Sequence, residues 1–277
     1  MKNVVSCDWL KNHMKDENLF IIDCRFDLFD ASFGKKAYEK EHIDGAYYLD
    51  INKDFADKAK AHGGARPLPS VNTITNKLKD IGINTDSTVI FYDNNFSSSC
   101  RAFYELKYLD FEKVYVLNGG FTEWKNLKFP TSKEIPLKKS NGNFNANINS
   151  DIFCDMNYVK KAIDNKDILL IDSRGEERYL GNYEPLYSKK GHIPSSLNLP
   201  CGKNISEKGT IKDISSLKDN FSFTKNAKEI IVYCGSGIDG AVNFFVLKEL
   251  SRNVKLYVGS MSDWVSYDEN PVNSGRE

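Results

Sequence analysis

The feature that most limits what this chain can fold into is an internal duplication. IIDCR at Ile21–Arg25 returns as LIDSR at Leu170–Arg174, and EHIDGAYYL at Glu41–Leu49 returns as GHIPSSLNL at Gly191–Leu199. VIFYDNN from Val89 matches IIVYCGS from Ile230, and VYVLNGGFTEW ending at Trp124 matches KLYVGSMSDW ending at Trp264. Four blocks in the same order, at similar spacing, describe a repeated domain rather than the short units of a solenoid. At 277 residues the chain is long enough to give each copy its own core. The expected division is a first domain over 1–131, a linker over 132–150, and a second domain over 151–277. The linker assignment rests on the polar run KKSNGNFNANIN, which has no helical period.

Each copy alternates short apolar strands with helical patterns. In the first copy LFIIDC (Leu19–Cys24), Tyr47–Leu49, Thr88–Tyr92 and Val114–Leu117 read as strands. Helices are expected near Lys36–Glu41, Val71–Ile81 and Ser98–Leu109, with a short one running from Gly119-Gly120 to Trp124. The Gly/Pro-rich HGGARPLPS, His62–Ser70, reads as an ordered loop or turn cluster. This alternation predicts an α/β fold of two tandem domains, each a mainly parallel sheet with helices on both faces.

The copies part company at one point. KEIIVYCGSGIDGAVNFFVLKEL, from Lys228, reads as a strand buried on both faces (Ile230–Tyr233) that ends in Cys234. Gly235, Ser236, Gly237 and Gly240 permit a tight turn, and from Asp239 apolar residues recur at helical spacing through Val242, Phe245, Val246 and Leu250. A cysteine at the carboxyl end of a strand thus faces a small loop and a helix N-terminus, whose amides form an anion cradle. That setting favours a thiolate nucleophile; the competing reading is a buried structural cysteine. The first copy has Asp93 at the equivalent position, and DNNFSSSC in place of CGSGIDG. A cysteine kept only for packing would not need this asymmetry, so Cys234 reads as catalytic and the first copy as having lost both nucleophile and cradle.

Composition closes off other classes. Lys plus Arg and Asp plus Glu are 38 each, which gives no global attraction to nucleic acid or an anionic membrane. No run is long enough for a membrane span and the N-terminus lacks a signal-peptide core, so a cytoplasmic protein is expected. The six cysteines are scattered without CxxC pairs or Cys/His clusters, so neither a metal nor a disulfide framework is expected. No cofactor is expected.

These blocks resemble the two-domain rhodanese family, and within it the 3-mercaptopyruvate sulfurtransferases. The likeness runs from VSCDWL near the start to LYVGSMSDW near the end, and its most specific part is Cys234-Gly235-Ser236-Gly237. Mercaptopyruvate enzymes of the family carry CGSG there, where thiosulfate enzymes carry basic residues after the cysteine. The resemblance implies an inactive N-terminal domain, a catalytic C-terminal one, an active site at their interface, and a persulfide on Cys234. It implies that Gly235, Ser236, Gly237 and Ile238 form the amide cradle and that Arg178, in DSRGEERYLG, holds the substrate carboxylate. A second family arginine falls on Tyr187. The Ser–His–Asp relay of some members is not kept; Asn52 and Arg66 stand in its places. The loop ends Ile238-Asp239-Gly240 where Val-Thr-Ala is usual.

On that reading Cys234 and Ser236 are catalytic. Arg178, Gly235, Gly237, Ile238, Asp239 and Arg66 contact the substrate, and Asp239 turns outward to cap the following helix. Attack of the thiolate on the donor sulfur expels the enolate of pyruvate, stabilised by the loop amides, Ser236 and Arg178. A thiol such as thioredoxin or glutathione, or cyanide, then takes the sulfur. Thiosulfate, a compact dianion, would want cations in the loop, and Gly235 and Ser236 offer none. Arg101 is a candidate for the face that holds the carboxylate but reads rather as an interdomain salt bridge or a solvated surface charge; Arg178 reads as a substrate ligand, with pairing to Glu176, Glu177 or Glu184 as the rival. His42 and His192 recur in both copies and read as structural. A cysteine phosphatase needs C-x5-R, and that place holds Gly240. Thiosulfate sulfurtransferase and a non-enzymatic sulfur-carrier or docking module remain as alternatives.

Overall fold

The computed structural model describes residues 1–137 and 141–276. Two compact units emerge from the packing. The first comprises Met1–Asp57, Leu68–Asn149 and Glu207–Ile211; the second comprises Lys58–Pro67, Ser150–Ser206 and Lys212–Glu277.

The first unit contains β1 (Val4–Val5), α1 (Cys7–His13), β2 (Leu19–Asp23), α2 (Phe33–Lys40), β3 (His42–Ile43), β4 (Tyr47–Tyr48) and α3 (Val71–Asp80). It continues with β5 (Thr88–Tyr92), α4 (Ser97–Tyr108), β6 (Val114–Leu117), α5 (Gly120–Asn126) and β7 (Thr131–Ser132). The second contains β8 (Phe153–Cys154), α6 (Met156–Ala162), β9 (Ile168–Asp172), α7 (Glu176–Tyr179), β10 (Ser196–Asn198), α8 (Ile214–Asn220), β11 (Glu229–Tyr233), α9 (Gly240–Glu249), β12 (Val254–Tyr257) and α10 (Ser260–Trp264). Helix α2 begins at Phe33, three residues before the expected Lys36.

Each unit has one five-stranded parallel sheet. The orders are β1-β6-β5-β2-β4 and β8-β12-β11-β9-β10, the same topology strand for strand. The central strands LFIID and EIIVY are buried almost throughout because helices cover both faces. Helix α9 has eight consecutive buried residues, Gly240–Leu247, so it is enclosed rather than lying with one face in water. Elsewhere the helix starts follow from side-chain caps. Ser6, Ser70, Asp155 and Asp213 each accept the N–H three residues on.

The two copies also share their buried polar pins. Tyr38 stacks on His42 with centroids 3.9 Å apart, and Tyr179 on His192 at 3.8 Å; each histidine Nδ1 meets its tyrosine's carbonyl at 2.7 Å. Arg25 pairs with Asp23 and donates to the Glu41 carbonyl; Arg174 pairs with Asp172 and donates to the Gly191 carbonyl. Trp124 Nε1 donates to the Pro130 carbonyl and Trp264 Nε1 to that of Pro271, both at 2.8 Å. These duplicated contacts give the histidines and tryptophans structural roles. Arg101 is neither solvated nor interdomain: fully buried, it pairs with Glu105 one turn along α4 at 2.7 Å, and burial pushes that carboxyl up to about 7.

The polar segment expected as a linker is held to the first unit where it is described. Gly142 N–H donates to the Lys79 carbonyl at 2.8 Å, and a Cβ there would lie 2.0 Å from the Ile83 carbonyl oxygen. Phe144 packs edge-on against Phe111, with centroids 5.1 Å apart. Residues 138–140 of that expected linker lie outside the described residues.

Candidate active site

Strand β11 ends at Tyr233, which places Cys234 at the carboxyl edge of the second sheet with only 1% of its surface exposed. Gly237 takes φ +76°, the left-handed turn that turns the chain back toward helix α9, and its N–H donates to Cys234 Sγ at 3.1 Å. The backbone amides of Gly240 and Ser236 also favour the ionised form of the sulfur. The amides acting on the sulfur thus belong to residues two, three and six positions after the cysteine, with the hydrogen bond at position three. Gly240 was not among the expected donors, whereas Gly235 and Ile238 were. The carbonyls of those two residues brace the loop, that of Gly235 accepting from Ser262 N–H and that of Ile238 from Ala241 N–H.

Ser260 is a further member that the sequence did not single out. Its hydroxyl accepts from Cys234 N–H at 3.1 Å, donates to the Tyr257 carbonyl at 2.8 Å and lies 3.9 Å from the sulfur. Its only sequence signal was a serine in GSMSDW where the first copy has the second glycine of NGGFTEW.

The expected depressed thiol is corrected by the structure. Burial raises the Cys234 pKa above its ordinary value and the Asp239 carboxylate raises it further, while the Gly240 and Ser236 amides and the Ser260 hydroxyl pull it back. The expectation weighed the amide donors and omitted the desolvation of a nearly buried sulfur. Asp239 is corrected too. It stands at the N-cap of α9 with helical angles (φ −66°, ψ −31°) and its side chain makes no cap hydrogen bond. A capping side chain needs an extended backbone at that residue, so the charge stays to act on Cys234 and on Cys201, whose thiol it also raises.

Arg178 comes to the loop, but as half of an ion pair. Its Nε and Nη2 donate to Glu184 at 3.0 and 2.7 Å, and Glu184 also takes Arg174 Nη1 at 3.1 Å. Its outer edge faces Gly235, where a Cβ would lie 3.4 Å from Nη1 and 3.1 Å from the Tyr187 hydroxyl. Any side chain at Gly235 would crowd both groups. The Arg178 guanidinium also sits 5.6 Å from the Tyr187 ring centre. Arg66 lies in the second unit, with Nη1 2.9 Å from Ser236 Oγ. Cys234, Gly235, Ser236, Gly237, Ile238, Asp239, Arg178 and Arg66 are thus all in that unit, joined by Tyr187, Glu184, Gly240 and Ser260.

No cluster of His, Cys, Asp and Glu able to hold a metal ion occurs among the described residues. None of the six cysteines forms a disulfide. No helix among the described residues is long and apolar enough to cross a membrane.

The model of the rhodanese-like domain matches twice, over residues 6–127 and 155–267. The chain belongs to the rhodanese family. Among rhodanese relatives, the 3-mercaptopyruvate sulfurtransferase of Escherichia coli (strain K12) is 33% identical over 283 residues, covering 97% of this chain and 96% of the relative. The putative thiosulfate sulfurtransferase SseB of Mycobacterium tuberculosis is 29% identical over 262 residues, covering 92% and 90%. The crystal structure of SseA from Escherichia coli, described as a 3-mercaptopyruvate sulfotransferase, superposes with a TM-score of 0.80 at 30% identity. That match covers 94% of this chain and 98% of SseA.

Proposed function

We propose that this rhodanese is a sulfurtransferase that takes sulfur from 3-mercaptopyruvate onto Cys234 and hands it to a thiol or to cyanide, releasing pyruvate. The observation that carries this is the Cys234 loop itself, a sulfur at a strand end with an amide donor at 3.1 Å and no cation among Gly235, Ser236 and Gly237. Likeness to the Escherichia coli 3-mercaptopyruvate sulfurtransferase supports the choice of donor. The C-terminal copy is the catalytic domain and the N-terminal copy the non-catalytic one.

The thiolate of Cys234 attacks the donor sulfur and the C–S bond breaks toward the enolate of pyruvate. The outer sulfur of the persulfide is received by the N–H groups of Ser236, Gly237 and Gly240. The Nη1 edge of Arg178, beside the Tyr187 hydroxyl, holds the donor's carboxylate, Glu184 fixing the guanidinium's plane. Because burial and Asp239 hold the thiol protonated, turnover rises with pH through neutrality rather than levelling off below it. Six cysteines without a disulfide suit a reducing, cytoplasmic setting, with thioredoxin- or glutathione-type acceptors.

The likeness to a putative thiosulfate sulfurtransferase makes thiosulfate the second donor to try. The test supplies each donor with a thiol acceptor and measures pyruvate or sulfite for wild type and Cys234→Ser. Pyruvate from wild type, with a loss of about 1000-fold or more in the variant, is expected. Equal turnover in the variant sinks the proposal, and a clear preference for thiosulfate replaces the donor.

A further inference from the structure

The segment His62–Arg66 is fastened to the second unit residue by residue. The His62 ring stacks on Tyr267 with centroids 4.1 Å apart, and its Nδ1 lies 2.9 Å from Ser266 Oγ. Gly63 N–H donates to Asp263 Oδ1 at 2.7 Å and Ala65 N–H to Ser262 Oγ at 2.9 Å. Gly64, at φ +89°, lies so close that a Cβ would stand 2.7 Å from the Gly259 carbonyl oxygen. These anchors surround helix α10, whose first residue, Ser260, touches the Cys234 backbone and sulfur. The strap ends by delivering Arg66 Nη1 to Ser236 Oγ at 2.9 Å.

That last contact has only one polarity. A guanidinium carries five donors and no acceptor, and it keeps its proton at every pH the protein meets. Ser236 is therefore the acceptor from Arg66, and its own hydrogen is directed elsewhere. A neighbouring cation also strengthens a hydroxyl as a donor.

We infer that Arg66 is a positioning residue that makes Ser236 a fixed hydrogen donor to the departing enolate, in a relay with no member that titrates near neutrality. This rests on the sulfurtransferase reading and names the residue that aims its proton. As Cys234 forms the S–S bond and the donor's C–S bond breaks, the C–S electron pair becomes the enolate. The Ser236 hydroxyl donates to the enolate oxygen. The S–H proton of the new persulfide reaches the enolate through that hydroxyl, leaving an ionised persulfide and an enol that tautomerises to pyruvate. Protons and electrons balance within the donor and the protein.

Thiosulfate separates this role from simple charge attraction, because its leaving group, sulfite, departs as a stable anion that needs no proton. Arg66→Ala and Ser236→Ala should each lower kcat with 3-mercaptopyruvate by about 100-fold, leave KM nearly unchanged, and be non-additive when combined. Turnover with thiosulfate should fall far less. Arg66→Lys should recover part of the loss, and Gly64→Ala should reproduce the Arg66→Ala defect with Arg66 still present. Alkylation of Cys234 by iodoacetamide, followed at a fixed pH, reports whether the fold and nucleophile survive in each variant. Arg66→His should add an ionisation near ~6.5 that wild type lacks. A rise in KM alone would make Arg66 a carboxylate anchor and overturn the inference, as would additive losses. Absence of pyruvate release from wild type would instead overturn the sulfurtransferase reading beneath it.

Discussion

The two strand-end loops, one after Asp93 and one after Cys234, are the same cage with different occupants. In the second unit Gly237 N–H, at position +3, donates to the sulfur at 3.1 Å, and the amides at +2 and +6, Ser236 and Gly240, pull its pKa down. In the first, the Asp93 carboxylate is met at those same positions by Asn95 (3.3 Å), Phe96 (2.8 Å) and Ser99 (3.2 Å). It gains two more donors, Ser98 N–H at 2.8 Å and Ser99 Oγ at 3.1 Å. The turn is shared as well, since Phe96 sits at φ +69° where Gly237 sits at +76°. Beneath each loop a residue at φ near +54° follows an equivalent strand, Gly120 after β6 and Ser260 after β12.

The first copy therefore kept its cradle, contrary to the sequence expectation, and filled it permanently. A carboxylate with five donors is satisfied and has no reason to react. A thiol with fewer donors, beside the repelling charge of Asp239, is left unsaturated in the same cage. The anion hole is a property of the fold, and the chemistry comes from what occupies it.

Emptying the charge from the first cage should have the largest effect on stability. Asp93→Asn turns an NH2 toward N–H donors, and urea unfolding should show a loss of about 2 kcal/mol with no change in the Cys234 alkylation rate at fixed pH. A cost near zero would mean that the five contacts do not hold the loop.

The second cage is probed by removing the charge that opposes it. Asp239→Asn should lower the Cys234 pKa and speed alkylation at pH 7 by about three- to tenfold. The sign follows from the thiol's direction: a pKa raised by a neighbouring anion falls when that anion becomes neutral. An unchanged rate would mean that burial alone sets the thiol.

The smallest effect checks that the scaffolds really are equivalent. Trp124→Phe and Trp264→Phe each delete one 2.8 Å hydrogen bond to a proline carbonyl, and each should cost about 1 kcal/mol. Clearly unequal losses would show that the copies differ beyond their loops.

Much of the architecture was legible because it depends on side-chain pattern. The runs LFIID, TVIFY and EIIVY can only be buried strands, and their spacing dictates the parallel crossovers. What escaped depends on backbone. Cage donors are N–H groups, which any residue except proline supplies, so DNNFSSSC hid its cradle. Phe96 holds a left-handed conformation that costs a side-chain-bearing residue about 1–2 kcal/mol and is ordinarily glycine's. Ser260 looked like a variant glycine. The strap carrying Arg66 is far in sequence from the unit it packs with, and no local pattern reports that contact.

The most direct test is to expose the full chain to 3-mercaptopyruvate without acceptor and map each cysteine by mass spectrometry. The account predicts one added sulfur atom on the peptide bearing Cys234, removed by a thiol or cyanide. An unmodified Cys234, or added sulfur on another cysteine such as Cys201, would contradict it.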